Sequence, residues 1–411
     1  MRHLQTLDSV TPFPALAVIA VAILTCWLLA KAFGAPPAPK HFRSLDGLRG
    51  YLALLVFIHH SSIWFGYLRT GAWRVPPSYL YTHFGQSSVA LFFMITGFLF
   101  SLKLLDGRQR RIDWRKLFVS RIFRILPLYW LVFAIVLGAV VFLSGGKLQV
   151  SPLILAKELL EWALFMDPNI NGVVAGEIIG GVTWSLKYEA LFYVALPLLA
   201  LFIGIVAPKR FLLLGVVGVA GGLIVVHPEP IRLVPFLGGA AAALLVRNTR
   251  VRQLAETYYG SLAVFVLTVL VCRYPTGYAI APLILLSVCF IIIASGNNLF
   301  GLLELPASRL MGEMAYSIYL LHGLCLYVLI HVVLGSVGAG KLSALGHWSW
   351  ILGVTPVLLG LSYATHRFVE LTGMRAGRKL ANRLQPVKET MPFVSTSVIP
   401  QIVTSSCEPE N

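Results

Sequence analysis

Charge is what this sequence has least of. Its 411 residues include only 33 Lys+Arg and 17 Asp+Glu, 12% in all, where an ordinary soluble domain carries roughly 25%. A soluble domain of this length could bury a large core, but so few charges could not cover its surface. Cysteine is scarce too. Of the five, Cys26, Cys272, Cys289 and Cys325 lie in apolar segments and Cys407 in a polar stretch, and none forms a CxxC pair. Neither a disulfide scaffold nor a metal site is expected from them. No internal repeat or heptad pattern is visible, which removes solenoids and coiled coils. A chain that is 57% apolar is not a disordered one either.

What the chain does have is apolar windows of about 18 residues, recurring from end to end. The fold class expected is therefore all-α, a polytopic transmembrane helical bundle of about 10–11 spans. The apolar segments run over 13–31, 51–67, 86–102, 125–143, 186–206, 211–226, 233–246, 258–272, 279–296, 311–334 and 350–366. Several are short for a bilayer core of about 30 Å, which fits tilted or irregular segments packed on neighbours. The net charge of +16 would point to nucleic acid in a soluble protein. Here the basic residues sit in short stretches between apolar segments, so no nucleic-acid partner is expected.

The basic residues also set an expected orientation. Between Lys103 and Arg124 stand Lys103, Arg108, Arg110, Arg111, Arg115, Lys116, Arg121 and Arg124 against Asp106 and Asp113, so this stretch is expected in the cytoplasm. Alternation then puts Lys40, Arg43 and Arg49 inside with Lys209, Arg210, Arg247, Arg250, Arg252, Arg367, Arg375, Arg378, Lys379 and Arg383. The 144–184 loop, carrying Glu158, Glu161, Asp167 and Glu177, falls outside with the N-terminus, as do Arg69, Arg74 and Arg232 against the rule. The C-terminus falls inside. The expected location is the bacterial plasma membrane, with membrane lipids as the surroundings. Three regions follow: an N-terminal anchor span and linker over 1–40, a membrane domain over 41–372, and a basic then disordered cytoplasmic tail over 373–411. Ala30-Lys31-Ala32 resembles a signal-peptidase site, but the positive charge follows the first span rather than preceding it, which favours a retained anchor.

In a membrane protein the informative residues are the polar ones the bilayer should exclude. Asp46 and Arg49 lead into a span; Asp46 could cap it, and His60 lies about 16 Å beyond Arg49, near the midplane. Arg121 and Arg124 share one helix face at the cytoplasmic surface, where two guanidinium groups suit a phosphorylated ligand and anionic lipid competes as a partner. Ser185, Glu189 and Phe192 share a face in Thr183-Trp184-Ser185-Leu186-Lys187-Tyr188-Glu189-Ala190-Leu191-Phe192-Tyr193, where an acid could handle a proton, bind a sugar hydroxyl, or simply stabilise a helix N-terminus. His322, in Tyr316-Ser317-Ile318-Tyr319-Leu320-Leu321-His322, is about eleven residues in from the cytoplasmic end of its span, matching the depth of His60. Each histidine alone could equally be a packed polar residue, and His59 reads more readily as one than His60 does.

These blocks, in this order, resemble the acyltransferase-3 family of integral membrane O-acyltransferases. The likeness covers roughly residues 40–372. It rests on Arg-x10-His after Leu-Asp-Gly (Arg49, His60), on Phe92 to Thr96-Gly97-Phe98, and on Arg-x-x-Arg before Leu-Pro-Leu-Tyr-Trp. The Trp-Ser-Leu…Glu…Phe-Tyr block and the block ending at His322 complete it. Thr96 stands where the family more often has Ser, and Leu371 follows Glu370 where it has Pro. The resemblance implies transfer of an acyl group, commonly acetyl, from cytoplasmic acetyl-CoA as co-substrate to a hydroxyl of a carbohydrate-type acceptor, with no permanently bound cofactor or metal. On that reading His60 is the general base, Arg49 and Asp46 organise the cytoplasmic entrance, and Glu189 contacts the acceptor. Arg121 and Arg124 hold the CoA phosphates, an outer aromatic belt of Trp184 and Tyr193 receives the sugar, and Ser185, Tyr316, Ser317 and His322 complete substrate binding. A secondary transporter would also place ionisable residues at mid-depth, but no paired, broken half-helices recur in two halves. A scaffolding protein would leave the deep histidines unexplained.

Overall fold

The computed structural model describes residues 10–37, 42–107 and 112–384. Lys40, Arg108, Arg110, Arg111, Cys407 and the tail beyond Leu384 lie outside the described residues. Seventeen α-helices follow in order: α1 Pro12–Phe33, α2 Arg43–Thr70, α3 Tyr79–Asp106, α4 Trp114–Leu143, α5 Pro152–Ala163, α6 Ala175–Ile178, α7 Trp184–Phe202, α8 Lys209–Val226 and α9 Val234–Leu245. After them come α10 Thr249–Ala255, α11 Tyr258–Val271, α12 Ile280–Ala294, α13 Pro306–Glu313, α14 Ala315–Tyr327, α15 Ser336–Lys341, α16 Ala344–Thr365 and α17 Leu371–Arg383. The protein is an all-helical polytopic bundle, and each of the eleven apolar segments is helical.

Eight helices among the described residues are long and apolar enough to cross a membrane, and a ninth span counts if the segment Pro230–Leu245, bent by 108° against α10, is taken as one crossing. That is fewer than the 10–11 expected from apolarity. Length is the reason: α11 and α12, at 14 and 15 residues, rise only about 21–22 Å against a hydrocarbon core of about 30 Å.

Contacts sort the connections onto two ends. At one end Tyr81 donates to the Thr11 carbonyl, Gln86 accepts from Thr276 and from the Gly277 amide, Tyr67 donates to Glu177, and Arg69 donates to the Leu342 carbonyl. The start of α1 and the 71–78, 144–183, 272–279 and 334–343 connections therefore share this end. At the other, Arg247 pairs with Asp106 at 2.6 Å, Arg115 donates to the Leu384 carbonyl, and Phe33 stacks on Tyr363. These are the two groups of loops that charge and alternation separate.

Glycines explain how closely the helices cross. A Cβ on Gly312 of α13 would lie 1.8 Å from the Asp46 carbonyl oxygen, and one on Gly47 of α2 would lie 2.0 Å from that of Leu303. Gly97 of α3 and Gly239 of α9 meet the Phe236 and Met94 carbonyls at 2.4 and 2.1 Å in the same way. Backbone-to-backbone contact of this kind is the small-residue packing of membrane helices. It is why Leu-Asp-Gly-Leu-Arg-Gly and Thr-Gly-Phe carry glycine where they do. Helix α1 packs by a similar stripe of Ala15, Val18, Ala22, Cys26 and Ala30, all buried, while Leu16, Leu24 and Trp27 face outward.

Helix α2 begins at Arg43, with Phe42 as its N-cap and no capping side chain. Asp46 thus lies inside the first turn and does not cap the helix, because the helical run extends through the polar residues ahead of the apolar span.

Candidate functional site

A cavity and a histidine pair flank one tyrosine. The first is a cavity of about 170 Å³ lined by Arg49, Arg121 and Arg124 with Glu189, Tyr193, Tyr316, Ser185 and Tyr319, and walled by Phe92, Phe93, Thr96 and Phe100. Two helices deliver its cations: Arg49 from α2 and the Arg121/Arg124 pair, one turn apart, from α4. Glu189, the one carboxylate in the lining, accepts from the Tyr193 hydroxyl. Three guanidinium groups against one carboxylate leave the lining positive in apolar surroundings, an arrangement that suits an anionic guest. Arg121 also lies over the Phe100 ring at 5.3 Å, and the Tyr316 hydroxyl donates to the Ile125 carbonyl at 2.9 Å.

The second feature is a histidine pair. His60 Nδ1 is 3.0 Å from the Val56 carbonyl oxygen and 3.1 Å from His322 Nε2, and His322 Nδ1 is 3.3 Å from the Ile318 carbonyl. A carbonyl oxygen only accepts, so each Nδ1 is assigned its ring's proton. His322 Nε2 is then free to accept from His60, and His60 Nε2 keeps an open lone pair. Gly323 makes this approach possible: a Cβ there would sit 2.1 Å from the Ile179 backbone, so the 179–181 loop is seated directly on α14 beside His60.

Tyr319 divides the two. It lines the cavity, its ring packs 5.9 Å from that of His322, and its hydroxyl is 2.8 Å from Ser185 Oγ. Neither histidine lines the cavity itself.

Several expected residues stand elsewhere. Tyr193 does not join Trp184 in an outer belt: nine residues of helix separate them by about 13 Å, which carries Tyr193 and Glu189 down to the arginines. Trp184 stays at the start of α7, packed on Tyr188 with Arg232 4.8 Å over its ring, and does not line the cavity. Asp46 also lies outside the lining and pairs with Arg49 at 3.8 Å. Ser317 is fully buried, donates to the Glu370 carboxylate and accepts from Thr365 at 3.0 Å, so its hydroxyl is engaged within the protein. His59 is buried on the Tyr81 carbonyl at 2.7 Å, against Gly85, and is structural.

Other participants carried no distinctive sequence signal. Glu370 ends a π-helical turn, His366–Glu370, between α16 and α17. It is buried beside Ser317, with His366 Nδ1 3.4 Å away. Leucine at 371 lets the helix run on into α17. Tyr319 was one aromatic among many in its block, and only the fold reveals it as a wall.

A family described as an acyltransferase domain matches residues 42–367, and the chain belongs to this acyltransferase-3 family. The acyltransferase MdmB of Streptomyces mycarofaciens is 24% identical over 415 residues, covering 89% of this chain and 99% of the relative. No solved structure matches. The protein is an acyltransferase, integral to a membrane.

Proposed function

We propose that the protein transfers an acyl group, acetyl in the first instance, from acyl-CoA to a hydroxyl of a carbohydrate-type acceptor in the bacterial plasma membrane. The cavity end is cytoplasmic and the 144–183 loop end external. The observation that carries this reading is the open Nε2 of His60, backed by His322 and set beyond a chamber of three arginines. The arginines fit the anionic part of CoA, Arg121 and Arg124 as bidentate partners of phosphate. The cavity volume of about 170 Å³ accommodates part of the coenzyme, with the nucleotide outside.

In the reaction, His60 Nε2 takes the proton of the acceptor hydroxyl as its oxygen bonds to the thioester carbonyl carbon. The ring becomes imidazolium, and its Nδ1–H holds to His322 Nε2, which orients it as the third member of a catalytic triad orients its base. The tetrahedral adduct then collapses, the carbon–sulfur bond breaks, and the CoA sulfur receives the proton from His60. Glu189, placed with the arginines, belongs on this reading to the donor side. The Ser185–Tyr319 contact has to open for the thioester to reach His60.

Release of free thiol from acetyl-CoA by the purified protein, together with loss of acetyl from surface glycans in cells lacking the gene, tests the proposal. Thiol release that is absent in wild type, or unchanged in His60→Ala, refutes it.

A further inference from the structure

His60 has a second neighbourhood, on the side away from the arginines. Its ring lies 6.4 Å from that of Trp73, and Gly180 faces its Cδ2. Trp73 is held in place: Trp64 and Tyr67 meet it edge-on at 5.1 and 5.4 Å, and Trp64 in turn meets Tyr327 and His331 at 6.4 and 5.4 Å. The backbone accounts for this. Gly71 ends α2 in the left-handed region with φ 66° and its amide donates to the Tyr67 carbonyl at 2.8 Å, so the chain turns sharply back and lays Trp73 over the last turns of α2. Trp73 is 37% exposed while Trp64 beneath it is fully buried.

One carboxylate joins these rings. Glu177 Oε1 accepts from the Tyr67 hydroxyl at 2.9 Å, which orients the group and leaves Oε2 available. Trp64 Nε1 and His331 Nε2 are buried in the same cluster with no hydrogen-bond partner. Buried polar atoms are nearly always paired, so the cluster has hydrogen-bonding capacity that the protein itself does not use.

Resting on the proposed function, we propose that Trp73, Tyr67 and Glu177 form the acceptor subsite, and that it takes a sugar ring. The electron-rich face of Trp73 suits the C–H face of a pyranose. Glu177 Oε2 accepts a ring hydroxyl, and the neighbouring hydroxyl faces His60 Nε2.

Saturation-transfer NMR on the full chain in detergent, with a set of neutral methyl pyranosides as probes, tests this. The expected result is transfer to their C–H protons that is lost in Trp73→Ala, reduced in Glu177→Gln and unchanged in Arg124→Gln. Absence of transfer in wild type, or undiminished transfer in Trp73→Ala, overturns the subsite. Thiol release from acetyl-CoA in the presence of the same pyranosides is measured in parallel on the wild-type protein. If wild type lacks thiol release altogether, it is the functional reading that fails, not the sugar contact.

Discussion

His322 Nε2 sits 3.1 Å from His60 Nδ1, although 262 residues separate them in the chain. Each ring's other hydrogen bond is to a carbonyl four residues back on its own helix, so the pair is held by two helices at once. His60→Ala is expected to abolish transfer while the protein still inserts. His322→Ala is expected to slow turnover by about 10²–10⁴-fold, the range for loss of positioned acid–base catalysis, with little change in KM for acetyl-CoA. A near-normal rate for either variant in a thiol-release assay contradicts the assignment.

His59 offers the contrast. Its substitution by Ala removes a partner from the buried Tyr81 carbonyl, at a cost of about 1–3 kcal/mol. Thermal unfolding in detergent should show a lower midpoint, while the folded fraction keeps its specific activity. Loss of activity without loss of stability would move His59 into the chemistry.

Arg121 and Arg124 separate donor from acceptor. Each charge-assisted contact to phosphate is expected to contribute about 1.5–3 kcal/mol, roughly 10- to 150-fold in donor affinity. Arg124→Gln should therefore raise KM for acetyl-CoA and leave that for the acceptor nearly unchanged. Arg124→Lys should rescue only in part, because an ammonium lacks the planar fork. Complete rescue by Lys would reduce the pair to membrane-boundary anchors.

The glycine crossings carry their own expectation. Gly312→Ala presses a methyl group into the Asp46 carbonyl and Gly323→Ala presses one into the Ile179 backbone. Overpacking of a tight core costs about 1–3 kcal/mol. Both variants should lower the yield of folded protein, and Gly323→Ala should also cut turnover in the fraction that folds, since it separates the 179–181 loop from the histidines. Equal stability and activity in both would show that these crossings have slack.

Orientation is measured by cysteine labelling in a cysteine-free background. Asn171 is a poor probe position because it is buried and its side chain bonds Lys147 and Gln149. Val174, 50% exposed in the same loop, serves instead. A membrane-impermeant reagent applied from outside should modify Val174→Cys and spare Thr249→Cys at the opposite end; the reverse pattern inverts the topology.

The sequence was most legible where a single helix carries the signal. Apolar windows located all eleven segments, and the Arg-x10-His spacing placed Arg49 and His60 far apart along α2. Matched depth brought out His322, and the three-residue step put Arg121 and Arg124 on one face. What could not be read was which faces meet across helices. Glu189 and Tyr193 were grouped with Trp184 because one helix carries all three, yet the length of that helix takes Glu189 and Tyr193 to the arginines and leaves Trp184 behind. Ser317 and Glu370 join only because a π-helical turn shifts the register between α16 and α17. The placement of Trp73 over α2 depends on a reversal at Gly71 that brings a loop over its own helix, and no periodicity announces such a return.

Arg49 and His60 stand on the same unbroken helix, with about 16 Å of axial rise between them. On the proposed function, that interval works as a ruler for the donor. A molecule whose phosphate and acyl carbon are separated by only a bond or two, such as an acyl phosphate, cannot touch both landmarks. A carrier whose thioester hangs on a long flexible arm can keep its charged end among the arginines while its reactive carbon reaches the histidines. The spacing thus discriminates by the length of the carrier's arm, separately from any recognition of the acyl group it delivers.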